Sequence, residues 1–336
     1  MKQLFGLYEK DRNFFRLIGI MVVVFGLCSF LQPALFPTLP NFVAITRQFP
    51  EYGILAIAIG LTMLTGGIDL SVVSVANLSA IFAAMVMFSV APENQGAAVI
   101  IAACLVAIIA GMVCGAFNGV MIARIGIPPI LATLGTQQLF LGIAIVVTGG
   151  QSLSGMPDAF ARLGRTVYGG FLPFVFIVFM VCALFVGLLL AKTSFGAKVY
   201  MLGTNEKAAA YAGLKTGWLL IKTYTISGGL AAVAGLVMMA QANAMRAGFG
   251  AAYTLQAVLV AVMGGISPRG GIGNVHGIVV AVVILQMISS TLAMFAQISN
   301  FYRDILWGAV LVFMLIINHY ANKNALERQA RKAPTS

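Results

Sequence analysis

The side chains with chemistry to offer in this sequence are uncharged polar groups, set at helical spacing inside long apolar runs. Thr62, Thr65 and Asp69 fall at i, i+3 and i+7, and Ser71, Ser74 and Asn77 follow at intervals of three. Thr133, Thr136 and Gln137 lie at i, i+3 and i+4, as do Gln286, Ser289 and Ser290. Such spacing gathers side chains on one helix face. Hydroxyls and amides along a wet path replace the hydration of a neutral polar solute without holding it tightly. Each residue taken singly is better explained by hydrogen bonds between packed membrane helices; the four stripes together favour a lined pathway. Asp69, the one acid at membrane depth, stands in a break between two apolar runs. Ahead of Leu70-Ser71-Val72 it suits a helix cap, with a part in transport as the alternative.

Other chemistries find no foothold. Gly213-Leu214-Lys215-Thr216 ends like a phosphate-binding loop but lacks the glycine before the lysine and a preceding strand. His276 and His319 are too far apart for a metal cluster, and no metal site is expected. Cys28, Cys104, Cys114 and Cys182 fall inside apolar runs without ligand spacing. Asn77-Leu78-Ser79 matches a glycosylation sequon, but inside a span. No catalytic residue is assigned, and the chain is read as not an enzyme.

The elements that must hold these stripes are membrane helices. Of 336 residues, 60% are hydrophobic and 9% charged, with a mean hydropathy of +1.00; a soluble domain carries about 25% charged residues. The apolar runs are continuous, whereas a barrel would alternate in polarity. The fold class is therefore all-α and polytopic, with about ten spans: 14–34, 51–67, 70–91, 97–123, 128–149, 170–191, 219–241, 252–267, 274–296 and 303–319. Only Gly66-Gly67-Ile68-Asp69 separates the second from the third, as either an inner loop or an intramembrane break. Lys2, Lys10, Arg12 and Arg16 precede the first span as they would a signal peptide, but the run is long and no small-x-small cleavage site follows, so it is read as uncleaved. With the N-terminus inside, only Arg47, Arg162, Arg165, Arg246 and Arg303 among the 20 Lys and Arg fall outside. That bias obeys the positive-inside rule and puts both termini in the cytoplasm. The net charge of +11 thus reports orientation in a lipid bilayer, not a nucleic-acid partner.

Two connectors stand out. The outer one, 150–169, contains Pro157 and several glycines and reads as a re-entrant or surface loop. The inner one, 192–218, holds Asn205 through Gly213: acidic at its start, alanine through its middle and glycine at its end, a good short helix. On the residues alone it is either a docking element for a partner or a solvated connector. The chain is expected to be one transmembrane domain, 1–336, with 320–336 as a cytoplasmic tail.

Four segments carry a resemblance: Leu64-Thr65-Gly66-Gly67-Ile68-Asp69-Leu70-Ser71; Phe117-Asn118-Gly119 with Pro128-Pro129-Ile130-Leu131-Ala132-Thr133-Leu134-Gly135-Thr136; Thr193-Ser194-Phe195-Gly196 through Gly203-Thr204-Asn205-Glu206 and Ala208-Ala209 to Gly213; and Gly264-Gly265-Ile266-Ser267 with Gly270-Gly271 and Gly273. In this order and spacing the sequence resembles the permease subunits of bacterial ABC sugar importers, the ribose, xylose and arabinose permease family that also includes autoinducer-2 permeases. The resemblance implies an inner-membrane importer permease for a monosaccharide or related polyol. Its implied partners are a second permease copy (homodimer or related heterodimer), a cytoplasmic ABC ATPase and a periplasmic sugar-binding protein. It also implies no cofactor in this chain, ATP and Mg being used by the ATPase. It makes 192–218 the coupling loop, with Thr204, Asn205, Glu206, Lys207, Ala208, Ala209 and Gly213 meeting the ATPase. The pathway set becomes Thr65, Ser71, Ser74, Asn77, Asn118, Thr133, Thr136, Gln137, Gln286 and Ser289, with Gly66, Gly67, Asp69, Gly264 and Gly265 as structural motif. The sequence departs from the family at Val72-Val73-Ser74, where a glycine is usual, and in detail at Pro128-Pro129 and Ser267-Pro268-Arg269-Gly270. These departures weaken any transfer of sugar identity. Permeases for branched-chain amino acids or nucleosides and a stand-alone secondary transporter are the rival readings.

Overall fold

Helices form along the apolar runs, and glycine or proline ends many of them. A computed structural model describes residues 12–91, 94–295, 305, 307–309 and 312. In chain order the helices are α1 (Arg12–Leu31), α2 (Leu39–Gln48), α3 (Pro50–Met63), α4 (Val72–Phe88), α5 (Ala97–Val120), α6 (Pro129–Thr148), α7 (Asp158–Arg165), α8 (Phe174–Lys192), α9 (Ser194–Thr204), α10 (Glu206–Tyr211), α11 (Thr216–Ala242), α12 (Tyr253–Met263) and α13 (Val275–Ala293). A π-helical turn, Met121–Ile125, extends α5. Two short antiparallel pairings tie the connectors, Leu153–Ser154 with Ala244–Met245 and Val167–Tyr168 with Leu172–Pro173.

Six of the described helices are long and apolar enough to cross a membrane: Phe14–Leu31, Ala97–Ile125, Pro129–Thr148, Phe174–Lys192, Thr216–Ala242 and Val275–Ala293. Three more, α3, α4 and α12, are apolar but shorter. At 1.5 Å per residue α3 reaches about 21 Å and α12 about 17 Å, short of a hydrocarbon core of about 30 Å. The expected spans 51–67, 70–91 and 252–267 contract to these helices because glycine stops two of them in the same way. At Gly66 (φ +86°) the Gly67 amide donates to Thr62 O and the Gly66 amide to Met63 O. At Gly265 (φ +93°) the Ile266 amide donates to Ala261 O and the Gly265 amide to Val262 O. Both are Schellman endings, in which a left-handed residue lets the chain turn back on its last carbonyls. Irregular backbone at membrane depth is tolerated only inside protein. Accordingly α3 is buried along its whole length except at Glu51.

The hub is α11, buried over most of its surface. Gly111, Gly115 and Gly119 of α5 recur every fourth residue and face it. A Cβ on Gly115 would overlap the Tyr224 carbonyl, and one on Gly228 would overlap that of Gly111. Small residues at this spacing let two backbones touch, the main source of attraction between helices already in lipid. The same close contact joins Gly235 of α11 to Ala76 of α4 and Gly164 of α7 to Ala240 of α11. The outer helices α1, α5, α6 and α8 keep apolar faces exposed, including Val23, Val113, Val146 and Leu184.

Three elements were not foreseen, the first being α9 in the connector 192–218, where only a helix from Asn205 to Gly213 was expected. α2 lies between the first and second spans and begins with proline in its first turn, and the connector 150–169 contains α7, whose Phe160, Ala161 and Gly164 are buried. The tenth expected span, 303–319, lies mostly outside the described residues, with helix at 305, 307–309 and 312. The tail 320–336, His319 and the first eleven residues lie outside them.

Candidate functional site

Asp69 sits in the turn between α3 and α4 and is 1% exposed. Its Oδ1 accepts from the Ser71 amide at 3.0 Å and from the Ser71 hydroxyl at 2.6 Å, so it organises the start of α4 from two residues before the helix cap. The Ser71 hydroxyl accepts in turn from Asn118 Nδ2 at 2.7 Å. Thr133 of α6 donates to Ile68 O at 3.2 Å. Tyr224 of α11 completes the ring around the turn, since a Cβ on Gly67 would strike its hydroxyl. The Tyr224 hydroxyl and Asn118 Oδ1 are buried without a hydrogen-bond partner among the described residues. Four sequence segments distant from one another thus meet at one buried, mostly uncharged polar knot.

The segment 192–218 reaches this knot through backbone. The Gly271 amide donates to Leu64 O at 3.0 Å. Gly203, at the end of α9, packs where a side chain would overlap Leu64 O and crowd the Gly271 amide, and a Cβ on Gly270 would meet both Gly203 and Gly66. Tyr200 donates to Gly273 O at 2.8 Å. The two Schellman turns and the end of α9 are therefore one contact. Immediately beyond, Asn205 Oδ1 accepts from the Ala208 amide at 3.0 Å and starts α10, which ends before Gly213 (φ +80°). On α10, Ala209 is buried while Tyr211 is 93% exposed.

A second polar cluster closes the opposite end of α3, about 20 Å away along the helix. Tyr52 donates to Gln286 Oε1 at 2.6 Å, and Gln286 Nε2 donates to Gln48 Oε1 at 2.7 Å. Tyr253 donates to Glu51 Oε1 at 3.0 Å, and Ser290 to Asn41 Oδ1 at 2.7 Å. The rings of Tyr253 and Trp307 flank Tyr52, with centroids at 6.0 and 5.7 Å. Between the two ends, Asn77 Nδ2 donates to Phe249 O at 3.0 Å and its Oδ1 is left buried without a partner.

The structure redistributes the expected stripes. Thr62, Thr65 and Asp69 do not share a helix face, because α3 stops at Met63; Thr65 and Asp69 belong to the turn. Ser71 likewise precedes α4, leaving Ser74 and Asn77 on it. The hydroxyls of Thr62, Thr65 and Thr136 bond carbonyls of their own segment. Ser74 and Ser289 are buried and Gln137 half-buried. Gly264 packs against the backbone of Gly277 and Ile278, joining α12 to α13. Sequence spacing did not find Gln48, Glu51, Tyr52, Tyr224 or Tyr253; each joins its cluster through a partner far along the chain. Among the described residues no group of His, Cys, Asp and Glu could hold a metal. The four cysteines are free.

Membrane-length helices around broken ones, polar knots at both ends of a buried helix and a short helix presented beside one of them define a polytopic permease domain. Residues 41–315 match the family described as branched-chain amino acid transport system / permease component, and the chain belongs to this family of importer permeases, multi-pass proteins of the inner membrane. It is similar to the autoinducer 2 import system permease protein LsrC of Salmonella typhimurium, 34% identical over 279 residues, covering 83% of this chain and 78% of the relative. The protein of the same name from Photorhabdus laumondii is 31% identical over 312 residues, covering 93% and 90%. That from Yersinia pestis strain Pestoides F is 31% identical over 324 residues, covering 96% and 89%. No solved structure gives a significant match.

Proposed function

We propose that this chain is the translocating subunit of an ABC importer for a monosaccharide or related polyol, working as a pair of permease copies with a cytoplasmic ATPase and a periplasmic binding protein. The observation that carries the substrate class is the chemistry of the buried polar set. Amides, hydroxyls and phenols dominate it, and Asp69 is the one fully buried charge among the described residues. Such groups exchange hydrogen bonds with a neutral polyol. A zwitterionic amino acid, which the family's description names, would need a cation and an anion facing each other across the path. The three relatives described above are named as autoinducer 2 import permeases, not amino-acid permeases, which supports this reading.

In this reading the chain crosses the membrane about ten times with both termini cytoplasmic, and 204–213 is the coupling element. Movement of α10 by the ATPase passes through Gly203 into both Schellman turns and changes the packing of α3 and α12, switching the path between inward- and outward-facing states. Solute enters past Tyr52, Gln286 and Gln48 and leaves past Asn118, Ser71 and Tyr224. The test is uptake into proteoliposomes holding the permease with its partner ATPase and binding protein. ATP-dependent accumulation of a labelled pentose, hexose or related polyol, with none of leucine, is expected. Leucine uptake would overturn the substrate class, and gradient-driven uptake without an ATPase would overturn the importer reading.

A further inference from the structure

A second site lies apart from the polar knots. Where α9 and α11 begin, a cavity of about 610 Å³ opens between them, and Lys198, Lys215 and Lys222 line it together with Trp218. Trp218 and Lys222, four residues apart, share one face of α11, and Lys215 is the residue that precedes the helix. Arg124, at the end of α5, places its guanidinium carbon 5.6 Å from the centre of the Trp218 ring. No acidic side chain lines the cavity, and none of these four cations has an ion pair among the described residues. Three exposed lysines line the cavity and Arg124 stands over its tryptophan, so the charge complement of the cavity is an anion.

Phe195, Leu214 and Leu219 give the same cavity an apolar wall. Next to it, the exposed residues Phe117, Val120 and Ile125 continue an apolar surface along α5. The cavity therefore lies where a lipid-facing surface ends and the charged end of the molecule begins. Tryptophan favours that level of a membrane, and basic pockets between transmembrane helices bind anionic head groups there. A free anion would use the lysines but not the apolar wall, whereas an amphiphile with a phosphate uses both. We propose that this cavity is a binding site for an anionic phospholipid, with the phosphate held by Lys198, Lys215 and Lys222 and the glycerol and first acyl carbons against Phe195, Leu219 and Trp218. The leaflet it draws from depends on the orientation proposed above; the binding does not, so either can fail alone.

The test is native mass spectrometry of the full-length permease in detergent, titrated with phosphatidylglycerol, with phosphatidylcholine and with inorganic phosphate. Retention of phosphatidylglycerol over phosphatidylcholine is expected. Affinity should fall roughly fivefold for each lysine removed in K198Q, K215Q and K222Q. K192Q, at the end of α8 outside the cavity, should bind like the wild type. The single variants keep the test open if the triple variant does not fold. Unchanged lipid binding in the single and triple variants overturns the proposal. Equal competition by inorganic phosphate would make the ligand a free anion, and overturns it too. So would variants that keep the lipid but release the ATPase, because the cavity would then be a protein-docking pocket.

Discussion

At the scale of single residues, Asp69 separates capping from charge. Asn at this position keeps an oxygen that accepts from the Ser71 amide and hydroxyl, whereas Ala leaves both donors buried and unpaired. D69A should lose about 1–3 kcal/mol of stability, and D69N should lose little; melting of the purified variants in detergent checks both. If D69N melts normally but does not transport, the carboxylate charge has a further task. Gln286 links Tyr52 to Gln48, so Q286L takes an acceptor from the buried Tyr52 hydroxyl and a donor from the exposed Gln48. It should lower or redirect solute uptake while assembly with the ATPase persists; unchanged uptake would return Gln286 to packing alone. The sequence placed Asp69 at the start of α4 because its neighbours decide that role, but as the cap itself, a position that Ser71 takes. It could not mark Tyr52 or Tyr253, whose partners lie some two hundred residues away and are chosen by how the helices assemble.

At the scale of elements, the contact between α5 and α11 sets the centre of the molecule. G115V drives a side chain into the Tyr224 backbone, and α11 cannot retreat without leaving α4 and α7. An overpacking cost of about 3 kcal/mol is expected, read as a lower melting temperature and a smaller folded fraction on size exclusion. Deleting 204–213, or replacing Glu206 and the exposed Tyr211 by Ala, should abolish ATPase co-purification and transport while leaving membrane insertion intact. Normal co-purification would refute the coupling assignment. Helix positions followed from hydrophobic runs within a few residues, because burial in lipid demands them. Helix ends at 63 and 263 did not follow, since hydropathy continues past both and only the backbone turn at glycine ends them. α2, α7 and α9 were missed for the converse reason: eight to eleven residues of mixed polarity resemble a connector until neighbours cover one side.

At the scale of the whole molecule, orientation rests on the distribution of Lys and Arg. A single cysteine at Lys207, with the four native cysteines replaced, should react with an impermeant thiol reagent in inverted vesicles and not in intact spheroplasts. The opposite result would turn the molecule over and take 204–213 away from the ATPase. The family was legible in glycine-rich motifs scattered along the chain, and the structure gives the reason two of them sit where they do. Leu64 to Ser71 and Gly264 to Gly273 read as separate signatures in sequence but are one contact in space, closed by Gly203.

That contact gives the molecule leverage. α3 is a stiff rod about 20 Å long, held near the coupling segment at one end and carrying Tyr52 at the other. A tilt of a few degrees at Gly66 becomes a displacement on the order of 1 Å at Tyr52. The Tyr52–Gln286 hydrogen bond, 2.6 Å long at rest, would then pass the length at which such bonds hold. If α9 and α10 move with an ATPase, as proposed above, a small stroke at this end is enough to unfasten the far one.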